Sequence, residues 1–227
     1  MEKNAKLKLS DSPLIKREEG MLLPFLIVTA CFMVMVLVFV SLVGVCTVRQ
    51  SSMNDTLYEG DNVLIFNYPS SVKAGDIVIL KADESLGSVS EILLIKRVVA
   101  VAGDTIKFVP AVKDEADEIS GRPLDGRTEV FLYRKPKGQT EFVLANEPYI
   151  KETMTNCEHF SKIEFNKEYE IEQGQIYAMG DNRNGSSDSR VYGTFSTDNI
   201  YGKMFYKLKA GSFLEHFFKF VYGDAKK

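Results

Sequence analysis

From Met21 to Val48 the chain runs through 28 residues without a charge, dominated by Leu, Val, Phe, Met and Ala. Nothing else in the sequence constrains the fold as strongly. About 20 apolar residues in a helix cross a bilayer core of roughly 30 Å, so this run can span with a margin for tilt. A cleavable export signal carries an apolar core of only about 7–15 residues before a small-residue cleavage site, so the length predicts a retained anchor. Lys3, Lys6, Lys8, Lys16 and Arg17 precede the run, whereas after it Arg49 stands alone until Lys73. Basic flanks stay on the cytoplasmic side. This predicts a cytoplasmic tail over 1–20, a single-pass plasma-membrane anchor over 21–48 and an extracytoplasmic domain over 49–227. The lipid bilayer is the first expected partner.

Composition narrows what that domain can do. A formal net charge of −3 shows no basic excess, which argues against nucleic acid as a partner. Cys31 and Cys46 fall inside the expected anchor and leave Cys157 alone outside it, so no disulfide closes there and no cysteine cluster suggests zinc. With only His159 and His216, a histidine-rich metal site is not expected either, and no cofactor is implied.

The exported part reads as β. Short β-branched or aromatic runs cover Asn62–Asn67, Asp76–Lys81, Glu91–Ala102, Thr105–Val109, Glu129–Tyr133, Gln175–Met179 and Gly202–Leu208. Gly60-Asp61, Gly75-Asp76 and Gly103-Asp104 each open onto such a run, as turns do. Gly180-Asp181 opens instead onto a polar loop that reaches Arg190. Between about 110 and 174 the chain turns more charged and irregular, with the acidic stretch Asp114–Glu118 and the turn-rich Gly121–Gly126, and is expected to be an inserted β-rich or irregular region that decorates the β core. Near the C-terminus, Ser212 and Glu215 have capping-box spacing, and Phe213, Leu214, Phe217, Phe218 and Val221 share one helical face. A helix of that length is too short to span a bilayer. It packs on the sheet or rests on lipid, and both readings stay open. The expected fold is therefore mainly β: a transmembrane helix, an antiparallel β-sheet domain with an irregular insertion, and a short C-terminal helix.

Two residues suggest chemistry. Ser52 follows four residues after the uncharged run, in Ser51-Ser52-Met53-Asn54-Asp55-Thr56-Leu57. Lys96 sits in Ile92-Leu93-Leu94-Ile95-Lys96-Arg97-Val98-Val99, where apolar neighbours should desolvate its amine. Desolvation disfavours the ammonium and lowers the pKa, as a lysine acting as a general base requires. In a strand, Lys96 and Arg97 point to opposite faces, so Arg97 can pair with an acid of the polar loop while Lys96 faces a site.

The segments Ser52–Leu57, Gly60–Leu64, Lys96–Val98 with Gly103-Asp104, and Gly180–Arg183 with Ser186–Arg190 resemble, in order, the sequence boxes of the bacterial type I signal peptidases of peptidase family S26. The resemblance implies a serine endopeptidase that removes signal peptides from exported preproteins through a serine–lysine dyad and an acyl-enzyme. Ser52 would be the nucleophile, Lys96 the general base, and Ser186 the hydroxyl that orients the amine. The Ser52 N–H would supply one oxyanion donor. Family members place a second donor two residues earlier, where this chain has Gln50, and they commonly have proline where it has Asp55. Met53, Leu57 and Ile95 are expected to line pockets for the small residues, typically Ala-x-Ala, before the scissile bond. Arg97, Asp181, Asp188 and Arg190 are expected to form an ion-pair network that braces the loop. The implied partners are preprotein signal peptides and the protein-export machinery. Two other readings remain: an inactive membrane-tethered β domain that binds exported proteins or export-site partners, and a serine protease using His159 or His216.

Overall fold

In the computed structural model, which describes residues 13–67, 69, 71–82, 92–111, 128–155 and 157–223, the uncharged run is divided between two kinds of structure. Helix α1 covers Pro13–Leu42, and its part Leu22–Leu42, with a mean hydropathy of 2.9, is long and apolar enough to cross a membrane. It is the one such helix among the described residues. The helix stops before the run does. Val43–Thr47, with the sequence Val-Gly-Val-Cys-Thr, form strand β1, where the β-branched residues are favoured and Gly44 weakens the helical alternative. Cys46, expected in the anchor, therefore belongs to a sheet. The chain forms two compact units, 1–43 and 44–227.

The second unit carries a seven-stranded sheet in the order β1-β2-β11-β3-β4-β9-β10, with β2 at Asn62–Phe66, β3 at Ile77–Ala82, β4 at Ile92–Val101, β9 at Gln175–Met179, β10 at Phe195–Ser196 and β11 at Ile200–Lys207. Each of the seven strand-like runs is a strand, with ends shifted by at most two residues. The three Gly-Asp turns share one mechanism. Gly60, Gly75 and Gly103 take φ of 89°, 96° and 88°, a region open to glycine. The following aspartates then close the turn by accepting from a main-chain N–H three residues back: Tyr58 at 2.7 Å, Lys73 at 3.0 Å and Val101 at 3.1 Å.

Residues 110–174 contribute strands of their own. β6 (Val130–Lys135), β7 (Val143–Leu144) and β8 (Tyr169–Glu170) join β5 (Thr105–Pro110) in a second sheet of order β7-β6-β5-β8. Its buried Ile106, Phe108 and Leu132 share a core with Ala100, Tyr177 and Met179 of the larger sheet. The acidic stretch 114–118 and the turn 121–126 lie outside the described residues. Two short helices complete the unit, α2 at Ser189–Tyr192 and α3 at Phe213–Tyr222. As the spacing predicts, the Ser212 hydroxyl caps α3 by accepting from the Glu215 N–H at 3.2 Å.

Candidate active site

Strand β4 delivers Lys96 and Arg97 to the same loop from opposite faces. Val78 lies opposite Lys96 on β3, and Met179 opposite Arg97 on β9. Since β9 runs directly into Gly180, the loop 180–188 begins where β4 presents these two cations. Lys96 is 3% exposed, and its Nζ donates to Ser186 Oγ at 3.1 Å. Burial pulls the amine down to about 8, with Asp188 and Asp181 working against that shift and Arg190 adding to it. An amine poised there gives up its proton near neutral pH, which a lysine in water does not.

Ser52 sits half-buried in the turn after Gln50, across Gly180 from Ser186. The Ser52 carbonyl accepts from the Asn182 N–H at 3.1 Å, and Asn182 Nδ2 donates to the Ser51 carbonyl at 3.1 Å. A Cβ at position 180 would collide with both Ser186 Oγ and the Ser52 carbonyl oxygen, so only glycine lets the loop approach the serine turn this closely. Among the described residues no hydrogen bond joins Ser52 Oγ to Lys96 Nζ. Such bonds are commonly long in unliganded sites and tighten with substrate. Nor does the Ser52 N–H donate to any group among the described residues.

The ion pairs brace this loop from beneath. Arg97 grips Asp181 with two bonds, Nε to Oδ1 at 2.8 Å and Nη2 to Oδ2 at 2.7 Å, while its Nη1 donates to the Gly75 carbonyl at 2.9 Å. Asp181 also accepts from Thr56 Oγ1 at 2.6 Å, which ties the loop to the serine turn. Arg190 grips Asp188 at 2.9 and 2.8 Å, and Asp188 in turn accepts from the Gly180 N–H at 3.0 Å. Burial works against the Asp188 charge, but Arg190 and the Gly180 N–H outweigh it and hold the carboxyl below its usual range.

Met53, Leu57 and Ile95, expected to line substrate pockets, lie beneath the serine turn. They belong to a core cluster with Val48, Val63, Ile65 and Ile79, and Met53 and Leu57 are 1% and 0% exposed. The reason is the tight serine turn, in which Leu57 N–H bonds back to the Met53 carbonyl at 2.8 Å and both side chains turn inward. They anchor the turn from below, and Ile95, at 8%, keeps slightly more surface than either.

Gln50 and Asp55, the two departures from the family boxes, flank Ser52 and both take positive φ, 72° and 81°. Proline is locked near −65°. The backbone at Asp55 is therefore one that the family's proline could not adopt. Asp55 is also pinned from outside, since Lys151 Nζ reaches its Oδ1 at 2.9 Å. Gln50 is exposed, and its side chain makes no hydrogen bond among the described residues.

Several residues of the 128–155 segment reach the site, which the sequence did not reveal. Glu147 pairs with the buried Arg183, whose Nη1 lies 2.8 Å from Glu147 Oε2, and Arg183 Nε donates to the Gly180 carbonyl at 3.0 Å. Burial opposes the Arg183 charge, and Glu147 more than restores it. The Tyr149 ring lies under the Arg97 guanidinium, 3.8 Å from centroid to Cζ, and burial with the neighbouring Glu147 pushes the phenol up. Asn184 bonds the main chain of Thr153 and Thr155 at 3.0 and 2.8 Å. His159 Nε2 lies 3.2 Å from the Asn184 carbonyl, and His216 Nδ1 lies 2.9 Å from the Ser212 carbonyl, so each imidazole contacts main chain. Arg183 stands inside a recognised box and was findable. Glu147 and Tyr149 stand in irregular chain and carry no local signal.

An antiparallel β scaffold that holds a desolvated lysine against a serine hydroxyl, beside a second serine, has the makings of a peptidase centre. The chain belongs to the signal peptidase family, peptidase S26, whose model matches residues 21–208. It is a hydrolase of the serine peptidase kind. Signal peptidase I of Aquifex aeolicus (strain VF5) is 24% identical over 190 residues, covering 70% of this chain and 73% of that protein. Signal peptidase IB of Staphylococcus aureus (strain Mu50 / ATCC 700699) is 26% identical over 194 residues, 84% of this chain and 91% of the relative. Signal peptidase I of Bacillus licheniformis is 26% identical over 149 residues, 63% of each.

Proposed function

We propose that this chain is a single-pass membrane endopeptidase that cleaves signal peptides from exported preproteins, with its N-terminus cytoplasmic and residues from Gly44 onward outside. Neutral Lys96 takes the Ser52 hydroxyl proton, and Ser52 Oγ attacks the carbonyl before the scissile bond. The C–N bond breaks as Lys96 returns the proton to the leaving amine. Lys96 then activates a water that hydrolyses the acyl-enzyme and regenerates Ser52. Ser186 Oγ keeps the amine's lone pair directed. The unengaged N–H of Ser52 is the first oxyanion donor, and Gln50 is the candidate for the second. The protein-export machinery would deliver the substrate.

The observation that carries this reading is Lys96: buried, brought down to about 8, and bonded to Ser186 Oγ at 3.1 Å. Ser52→Ala and Lys96→Ala should each abolish cleavage of a preprotein by the purified full-length protein. The rate should climb with pH through about 8 and level off above it, because only the neutral amine is a base. Full activity in either variant sinks the assignment, as does a rate that ignores pH across that window.

A further inference from the structure

Helix α3 lies beyond residue 208, where the family match ends, and it is apolar on two faces. One face is packed and locked. Phe218 and Glu215 are buried, and the Glu215 carboxylate accepts from Lys219 Nζ at 3.0 Å, the Gly211 N–H at 2.7 Å and Asn62 Nδ2 at 2.8 Å. These three donors hold its carboxyl down to about 2, so it stays ionised and the rotation of the helix stays fixed. The other face is held outward as a consequence. Phe213 and Phe220 are 81% and 89% exposed, with Leu214 and Phe217 at 45% and 42%. At about 100° per residue these four share one arc of roughly 120°.

We infer that this aromatic face is seated in the interfacial layer of a lipid bilayer. Three observations favour lipid over a protein partner. The chain carries its own membrane-crossing candidate, Leu22–Leu42, so a bilayer is the apolar phase at hand. Asn62, which holds Glu215, also accepts from Thr47 Oγ1 at 2.7 Å, and Thr47 follows Leu42 by five residues, at most about 18 Å of chain. Finally, the stretch 205–223 carries Lys207, Lys209 and Lys219 against Glu215 alone, in a chain of net charge −3. An aromatic face flanked by lysines suits the boundary between acyl chains and anionic headgroups.

The sequence has no tryptophan, so a single introduced one reports its own surroundings. Phe220→Trp, Leu144→Trp and Phe32→Trp would each be made in the full chain. Each would be reconstituted in vesicles of phosphatidylglycerol with phosphatidylcholine brominated on its acyl chains. Leu144 is an exposed apolar residue of the smaller sheet, and Phe32 lies within Leu22–Leu42. Bromine should quench Phe220→Trp by at least about half, as for a side chain some 5–10 Å into the interface, and leave Leu144→Trp unchanged. Phe220→Trp quenched no more than Leu144→Trp overturns the proposal, and a blue-shifted but unquenched Phe220→Trp assigns the face to protein instead. The inference rests on the membrane reading of Leu22–Leu42, which Phe32→Trp tests by itself: if that tryptophan is unquenched, the span fails and this proposal with it, whatever the peptidase activity.

Discussion

The larger sheet and the 128–155 segment meet the same loop with opposite kinds of side chain. From β4 the sheet offers Lys96, a buried amine whose one hydrogen bond among the described residues is to a neutral hydroxyl. From the segment comes Glu147, a carboxylate matched to the buried Arg183. The difference follows from what each cation can do when water is removed. A buried ammonium can shed its proton and become a base, whereas a guanidinium keeps its charge and must be given a counter-ion. Lysine therefore stands where a proton has to move, and arginine stands in the brace, three times over: Arg97 with Asp181, Arg183 with Glu147, Arg190 with Asp188.

The comparison breaks most readily at Glu147. Glu147→Ala leaves Arg183, 1% exposed, without its carboxylate, and breaking a buried pair from one side costs about 3–5 kcal/mol. Thermal unfolding of the full chain in detergent should register that loss, and cleavage should fall because Arg183 also holds the Gly180 carbonyl. A loss under about 1 kcal/mol would mean that the segment only covers the loop and does not hold it.

At Lys96 the sign reverses. Its amine titrates near 8 in the fold against 10.5 when unfolded, so between those values the unfolded chain binds more protons and stability rises with pH. Below that window the folded state carries the whole cost of charging a buried amine. Lys96→Met removes this cost and should stabilise the inactive protein by on the order of 2–3 kcal/mol at pH 7, with the advantage shrinking as pH climbs from about 8 to 10.5. If Lys96→Met destabilises at pH 7, the lysine is part of the brace and the contrast with arginine collapses.

The same contrast separates what could be read from the chain from what could not. Apart from β1, the strands of five residues or more show as β-branched or aromatic runs, three of them opened by Gly-Asp turns, and Ser52, Lys96, Ser186 and the acids and arginines of the loop stand in short boxes that local sequence marks. β7, β8 and β10 are two residues each, too short for any period, and exist because a longer neighbour pairs with them. β1 was hidden by its composition, since Val-Gly-Val-Cys-Thr continues an apolar run without a break. Glu147 finds Arg183 across 36 residues, and Tyr149 finds Arg97 across the fold, by tertiary placement alone. The inward turn of Met53 and Leu57 was likewise invisible, because the alternation that picks out a strand does not say which way a tight turn faces.

The smallest expected effects lie at Asp55, where the segment touches the serine turn from the solvent side. Two things hold this residue: its tolerance of φ 81°, and the ion pair with Lys151, whose side chain is 65% exposed. Exposed pairs contribute little and are screened by salt, whereas a residue without a short polar side chain is strained in the left-handed region by about 1 kcal/mol or more. Asp55→Ala should therefore cost more stability than Lys151→Ala, and Asp55→Asn, which keeps the conformational tolerance and loses the charge, should resemble Lys151→Ala. Unfolding the three variants side by side, at low and at high salt, measures that order. Were Lys151→Ala to equal Asp55→Ala at low salt and recover at high salt, the ion pair and not the backbone would set the turn. The brace would then extend to the surface, and the division between a reacting sheet and a holding segment would run directly beside Ser52.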